Sequence, residues 1–176
     1  IVGPGGMGKT RLALACAAQV LGDSNGVPSA FPHGLYFVNL APLSEAAHIV
    51  PTLADAMHFP LQGGERDQRS PKQQILDYLR EKRMLLVLDN CEHLVDACAR
   101  MADRILHAAP NTRILASSRE ALGIGGEVTY RVPTLGLPDL SHLPPVESFS
   151  QYEAVKLFID RATSAVPTFR VTNENA

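Results

Sequence analysis

An α/β fold in three layers, with helices on both sides of a largely parallel sheet, is what this sequence predicts. Three observations predict it. A glycine-rich loop, Gly3-Pro4-Gly5-Gly6-Met7-Gly8-Lys9-Thr10, follows Ile1-Val2 and opens onto an Ala/Leu-rich helical stretch. An uninterrupted apolar run over 84–89 (MLLVLD) ends in an acid, the pattern of a strand buried on both faces. Short β-branched or aromatic runs alternate with helical periodicity along the chain, as expected of strands joined by crossover helices.

Each element has its own reason. Residues 9–21 (KTRLALACAAQVL) are good helix formers stopped by Gly22, and their nearly all-round apolarity predicts a helix covered by other elements. Residues 35–40 (LYFVNL), bounded by Pro32, Gly34 and Pro42, predict a short strand. Residues 44–57 predict a helix capped by Ser44 and kinked or split at Pro51. After a polar loop over 61–70, Ser70-Pro71 reads as the cap and first position of a helix running to about Lys82. The strand at 84–89 is followed by a helix over 91–108. There Leu94, Val95, Cys98, Met101, Ala102 and Ile105 recur at three- and four-residue steps. Residues 112–118 (TRILASS) predict a strand, 123–126 (GIGG) a turn, and 128–132 a last strand. Residues 135–145 hold too many prolines for either element. A closing helix over 151–165 places Ala154, Val155, Phe158 and Ile159 on one face. Only Ile1-Val2 precede the glycine loop, so the first strand is expected to be truncated, and residues 1–176 to be one domain incomplete at both ends.

Composition excludes several classes. A length of 176 residues suits one compact domain and is short for two. Sixteen Lys and Arg against eighteen Asp and Glu give a net charge of −2, which argues against a nucleic-acid-binding surface. No apolar run approaches the roughly 18 residues that cross a bilayer, and no leader-like segment opens the chain. Three cysteines, Cys16, Cys91 and Cys98, in apolar or helical contexts fit a reducing compartment. A cytoplasmic domain without membrane contact is expected.

The glycine loop satisfies G-x-x-x-x-G-K-[ST], and the chemistry needs those residue types at that spacing. Glycines let successive backbone N–H groups turn inward around phosphate oxygens, and the helix start adds its free N–H groups and dipole. Lys9 would reach the β- and γ-phosphates, and the Thr10 hydroxyl would hold Mg²⁺. Such a loop needs a second acid on a neighbouring strand to position the metal. Asp89 stands there, with helix capping as its alternative role. Asn90 follows where many NTPases place an acid, and Glu92 is the nearest substitute. Glu92 is equally suited to a first-turn position favourable to the helix dipole. Arg119 could grip a γ-phosphate bidentately or form an ion pair with Glu120 or another neighbour. Ser117 and Ser118 could donate to phosphate or merely close the strand. Cys91, His93, Cys98 and His107 can be drawn as a metal cluster, but helical phasing scatters them.

GPGGMGKTRLAL, LLVLDNCEHL and RILASSREALGIGGE, followed by EAVKLFIDRA, resemble the NB-ARC type of STAND nucleotide-binding domain. The likeness is strongest to bacterial regulators carrying helix-turn-helix or activator domains and TPR-like repeats. The resemblance implies a P-loop NTPase fold in which Gly3, Pro4, Gly5, Gly6, Met7, Gly8, Lys9, Thr10 and Arg11 bind ATP or ADP. It implies Thr10 and Asp89 on Mg²⁺, with Lys9, Asp89, Glu92 and Arg119 as the catalytic set and Arg119 as the sensor of the γ-phosphate. It also implies a switch between an ADP-bound monomer and an ATP-bound homo-oligomer, partnered by regulatory, repeat and effector domains. A Gly-Arg segment before the first strand and a Gly-Leu-Pro-Leu motif after the last helix, both usual in that family, are not found, since Leu135-Gly136-Leu137-Pro138 falls too early. The adenine contacts are therefore expected outside these residues. Asn90 suits slow hydrolysis. Two other readings stay open: an AAA+-like or metabolic ATPase with steady turnover, and a non-hydrolysing ADP-locked scaffold.

Overall fold

The computed structural model describes residues 1–22, 30–63, 68–139, 141–142 and 145–172. They fall into two compact units, residues 1–132 and 133–176. In the first unit, α1 (Lys9–Gly22), β1 (Leu35–Asn39), α2 (Ile49–Ala56), α3 (Pro71–Leu79), β2 (Leu85–Asp89), α4 (Val95–Ala108) and β3 (Arg113–Ala116) follow in order. The strands pair in parallel in the order β1-β2-β3, with Phe37 level with Val87 and Val87 level with Leu115. Beyond β3, Val2 bridges Ser118 on one side and Arg131 on the other, again in parallel.

Residue parity sorts the sheet's two faces. Side chains alternate along a strand, so Leu86 and Leu88 of β2 point one way and Leu85, Val87 and Asp89 the other. Leu86 and Leu88 join Val38, Leu40, Ile49, Leu53, Ile75, Leu79, Met101 and Ile105 in the larger core, which packs α2, α3 and α4 against the sheet. Leu85 and Val87 meet Ala13 and Ala17 of α1 in a smaller one. All five residues of β2 are buried, as expected of a strand covered on both sides.

Several expectations change in detail, each for a local reason. Around α1 only Ala13, Ala17 and Lys9 are buried, whereas Leu14, Val20 and Leu21 are exposed; the helix is covered along one stripe rather than all round. The segment from 44 splits into a 3₁₀ turn, Ala46–His48, and α2, and the residue flanking the turn is Glu45, so Ser44 is not the cap. Pro51 is the third residue of α2, in the first turn, where its missing N–H has no intrahelical partner to lose. Ser70 caps α3 as expected, its Oγ accepting from Gln73 N at 3.2 Å, but the helix stops at Leu79. Residues 91–108 also divide, because Asn90 is left-handed at φ 67° and Leu94 leaves helical geometry; a 3₁₀ turn, Cys91–His93, precedes α4. The expected strand at 128–132 reduces to the bridge at Arg131, with Val2 N donating to Tyr130 O at 2.8 Å and Val132 N to Val2 O at 2.9 Å. One residue supplies the facing backbone there, enough for a bridge and too little for a ladder. Of the loop at 61–70, residues 64–67 lie outside the described residues.

The second unit carries a 3₁₀ segment, Val146–Gln151, and α5 (Glu153–Ala165). Its connection is tied to the helix start, Gly136 N donating to Glu153 Oε2 at 3.0 Å and Ala154 N to Gly136 O at 3.2 Å. Ala154, Val155 and Ile159 are half-buried, but Phe158, placed with them by periodicity, is exposed and packs edge-on against Phe169, ring centres 5.8 Å apart.

Candidate functional site

Gly6 and Gly8 adopt φ 79° and 80°, a left-handed conformation that side chains disfavour, so glycine is required there for conformation rather than space. The loop turns at these points and enters α1 at Lys9, with Leu12 N already donating to Gly8 O at 2.9 Å. The Lys9 ammonium is buried against its own loop, donating to Gly3 O and Pro4 O, both at 2.9 Å. Two of its three protons are thereby placed, and the third is available to an anion held by the loop.

Thr10 follows on the first turn of α1, the helix lying on the face to which Asp89 points. The Thr10 hydroxyl reaches Asp89 Oδ1 at 2.8 Å and Oδ2 at 3.0 Å. Ser117, two residues beyond Leu115 and so on the same face by parity, donates to Asp89 Oδ1 at 2.5 Å. Its Oγ also accepts from Asn90 N at 3.0 Å. Ser117 thus holds Asp89 and the turn after β2, a role the sequence does not single out; the two-residue step from Leu115 is the signal that could have found it. Asp89 ends β2 while Asn90 flanks the 3₁₀ turn, so the capping alternative for Asp89 is not taken up. The hydroxyl and carboxylate oxygens of Thr10 and Asp89 are hard donors close enough to share one small cation, a donor set that fits Mg²⁺, which takes few protein ligands beside water and phosphate oxygens.

Glu92 and Arg119 close the other side. Arg119 Nε lies 3.4 Å from Glu92 Oε1, so its ion pair is with Glu92 and not with the neighbouring Glu120. Glu92 Oε2 is buried without a hydrogen-bond partner among the described residues, as is Ser118 Oγ. Gly5, Gly6, Gly8, Lys9, Thr10, Arg11, Asn90, Glu92, Ser117 and Arg119 together line one cavity of about 400 Å³, within the size range of small-ligand pockets. Gly3, Pro4 and Met7 belong to the loop without lining the cavity, and Asp89 sits behind Thr10 and Ser117.

The cysteines nearby are structural. Cys91 and Cys98 are buried free thiols in the larger core. Cys91 is held far above the ordinary thiol range by its hydrogen bond with Cys98, by burial, and by the Asp89 and Glu92 carboxylates. Those surroundings disfavour the thiolate, the form in which a cysteine attacks. Among the described residues no group of three or more His, Cys, Asp or Glu side chains gathers as a metal site, and no helix is long and apolar enough to cross a membrane.

The sequence is 41% identical over 176 residues to a Mycobacterium tuberculosis protein named, provisionally, as an HTH-type transcriptional regulator, and the match spans all of this chain and 17% of that protein. It is 34% identical over 176 residues to an uncharacterised protein of the same organism, of which it spans 39%. The chain therefore covers well under half the length of these relatives. Among solved structures it is similar to Cdc6p of Pyrobaculum aerophilum, with a TM-score of 0.45 and 21% identity over 68% of this chain and 31% of that one. Residues 1–121 match the family model described as AAA domain, and the chain belongs to that family of P-loop NTPase domains.

Proposed function

We propose that this AAA-type P-loop domain is an ADP/ATP switch of the NB-ARC (STAND) kind, hydrolysing ATP slowly within a cytoplasmic signalling or transcription regulator. The observation that carries the reading is the engagement of Glu92 by Arg119 at 3.4 Å, next to a strand end where Asn90 stands in place of a second acid. Asn90 cannot take a proton from water, and the Glu92 carboxylate is held toward Arg119 through Oε1. In this reading the loop amides of residues 3–11 and the Lys9 ammonium hold the β- and γ-phosphates and offset their charge. Mg²⁺, held by Thr10 with Asp89 behind it, would neutralise charge on the transferred phosphoryl group. A γ-phosphate would draw Arg119 to itself bidentately and free Glu92 to orient water, so that one arginine both senses the triphosphate and permits its hydrolysis. The motifs resembling NB-ARC domains and the regulator name of a 41% identical relative support the same assignment. Residues 1–176 would then be part of one NB-ARC-like domain, working with regulatory, repeat and effector domains and forming a homo-oligomer in its ATP state.

One observation favours steady turnover instead: Glu92 keeps Oε2 buried and unpartnered, ready to accept from an attacking water. A single experiment separates the two. The protein at its full natural length is purified and denatured, and the released nucleotide is identified by chromatography. Stoichiometric ADP is expected of a resting switch, and stripping a ligand carried at about 100 times its Kd should remove roughly 2.7 kcal/mol of stability. An empty site with rapid multiple turnover, and a large loss of turnover in Glu92→Gln, would establish the steady ATPase. Lys9→Ala abolishes nucleotide binding under both readings, and retained binding would overturn the phosphate-loop assignment itself.

A further inference from the structure

Away from the phosphate loop, α2, α3 and α4 enclose a second depression, of about 170 Å³, that shares no lining residue with the first. Its floor is apolar: Ile49 and Met101 are buried, and Val50 and Ala97 are half-buried. Its rim is cationic. Lys72, on the first turn of α3, and Arg100 of α4 line it, and Arg104 follows Arg100 one helical turn later. Among the described residues no acid lies within ion-pairing distance of these three cations, although the ion pairs elsewhere engage Asp77, Asp103, Glu92, Asp139 and Asp160. The Lys72 ammonium is pushed below the ordinary lysine range by burial and then by the Arg104 and Arg100 guanidiniums. Like charges one helical turn apart are destabilising when left uncompensated. On α4, Asp96 and Asp103 stand one turn to either side of Arg100 without coming within ion-pairing distance of it, so the rim keeps two cations, Lys72 and Arg100, open to an anion.

We infer that this depression docks an acidic segment of a partner protein that inserts one apolar side chain between α2 and α4 while its carboxylates meet Lys72, Arg100 and Arg104. Size and chemistry choose this occupant. The volume falls below the roughly 300–1,000 Å³ of pockets that enclose a small molecule, and it suits a single buried anchor of the kind that dominates interfaces. A nucleic-acid backbone would use the cations but leave the apolar floor without a partner. Charge at the rim would steer and orient the acidic segment, and burial of the anchor would supply the lasting contact.

The test uses the protein at its full natural length. Asp/Glu-rich fluorescent peptides carrying a single central Leu, Ile, Met or Phe are titrated beside an all-polar counterpart, at several salt concentrations. Binding is expected for at least one anchored peptide, about tenfold or more tighter than for the all-polar peptide, weakening as salt rises. Lys72→Glu combined with Arg100→Glu should lower that affinity by about 100-fold. Unchanged nucleotide content serves as the control for folding, and a Lys-rich peptide with the same anchor should bind the double variant in preference to the parent. No binding by any peptide up to about 1 mM overturns the inference, as does equal binding by parent and double variant. Equal binding by the all-polar peptide removes the anchored site. Tighter binding of a single-stranded oligonucleotide that displaces the peptide would replace it with a nucleic-acid surface.

Discussion

The two faces of the sheet are packed with different side chains. Toward α2, α3 and α4 the core is deep, filled by Leu, Ile and Met from three helices and two strands. Toward α1 it is shallow, two alanines resting on Leu85 and Val87. The deep face supplies most of the buried apolar surface, the main favourable term in folding. The shallow face does something else. Ala13 and Ala17 leave no side-chain bulk between α1 and the strands, so the start of that helix comes close enough for Thr10 to touch Asp89 at 2.8 Å. One face holds the domain together and the other brings Thr10 and Asp89, the pair proposed to hold the metal, into contact.

This contrast can be broken most severely on the deep side. Leu86→Ala empties a fully buried position between β2 and the three helices, and a loss of about 2–5 kcal/mol is expected in urea unfolding. Ala13→Leu tests the shallow side. Overpacking there should cost about 1–3 kcal/mol and also lift α1, so Mg²⁺-dependent nucleotide affinity should fall together with stability. Unaltered affinity in a destabilised Ala13→Leu protein would show that close approach of α1 does not set the Thr10–Asp89 contact. The smallest effect is expected on the outer side of α1. Leu14 is 44% exposed, and Leu14→Gln should stay within about 0.5 kcal/mol; a loss above about 2 kcal/mol would mean that this side is covered in the intact protein.

Much of the site was legible along the chain, and the reason is locality. The glycine loop, the acid ending 84–89 and the serines ending 112–118 all sit at strand C-termini, and parallel strands deliver their C-termini to one edge of the sheet. Contacts between elements were harder to read. Arg119 has Glu120 beside it in sequence, yet its partner is Glu92, because the β3 end and the turn after β2 lie next to each other in space. Leu14, Val20 and Leu21 carry the same apolarity as Ala13 and Ala17, and nothing in their order says that one stripe alone would be covered. Phe158 follows the helical period of α5 but finds Phe169 at the helix edge instead of a core.

Whereas the pairing of β1, β2 and β3 joins segments tens of residues apart, the α/β alternation and the phosphate loop could be read along the chain, since each rests on residue types and spacings within a few positions. Backbone chemistry at that range leaves little choice: glycine at φ 79° and 80°, an apolar strand buried on both sides, a serine cap before a proline. Which side chains share a partner follows instead from how distant elements pack. Ser117 on Asp89, Arg119 on Glu92, and Lys72 and Arg100 at the rim of an apolar depression are set by how far apart the strands and helices come to rest. That distance is fixed by the volumes packed between them, two alanines on one face and a wall of Leu, Ile and Met on the other.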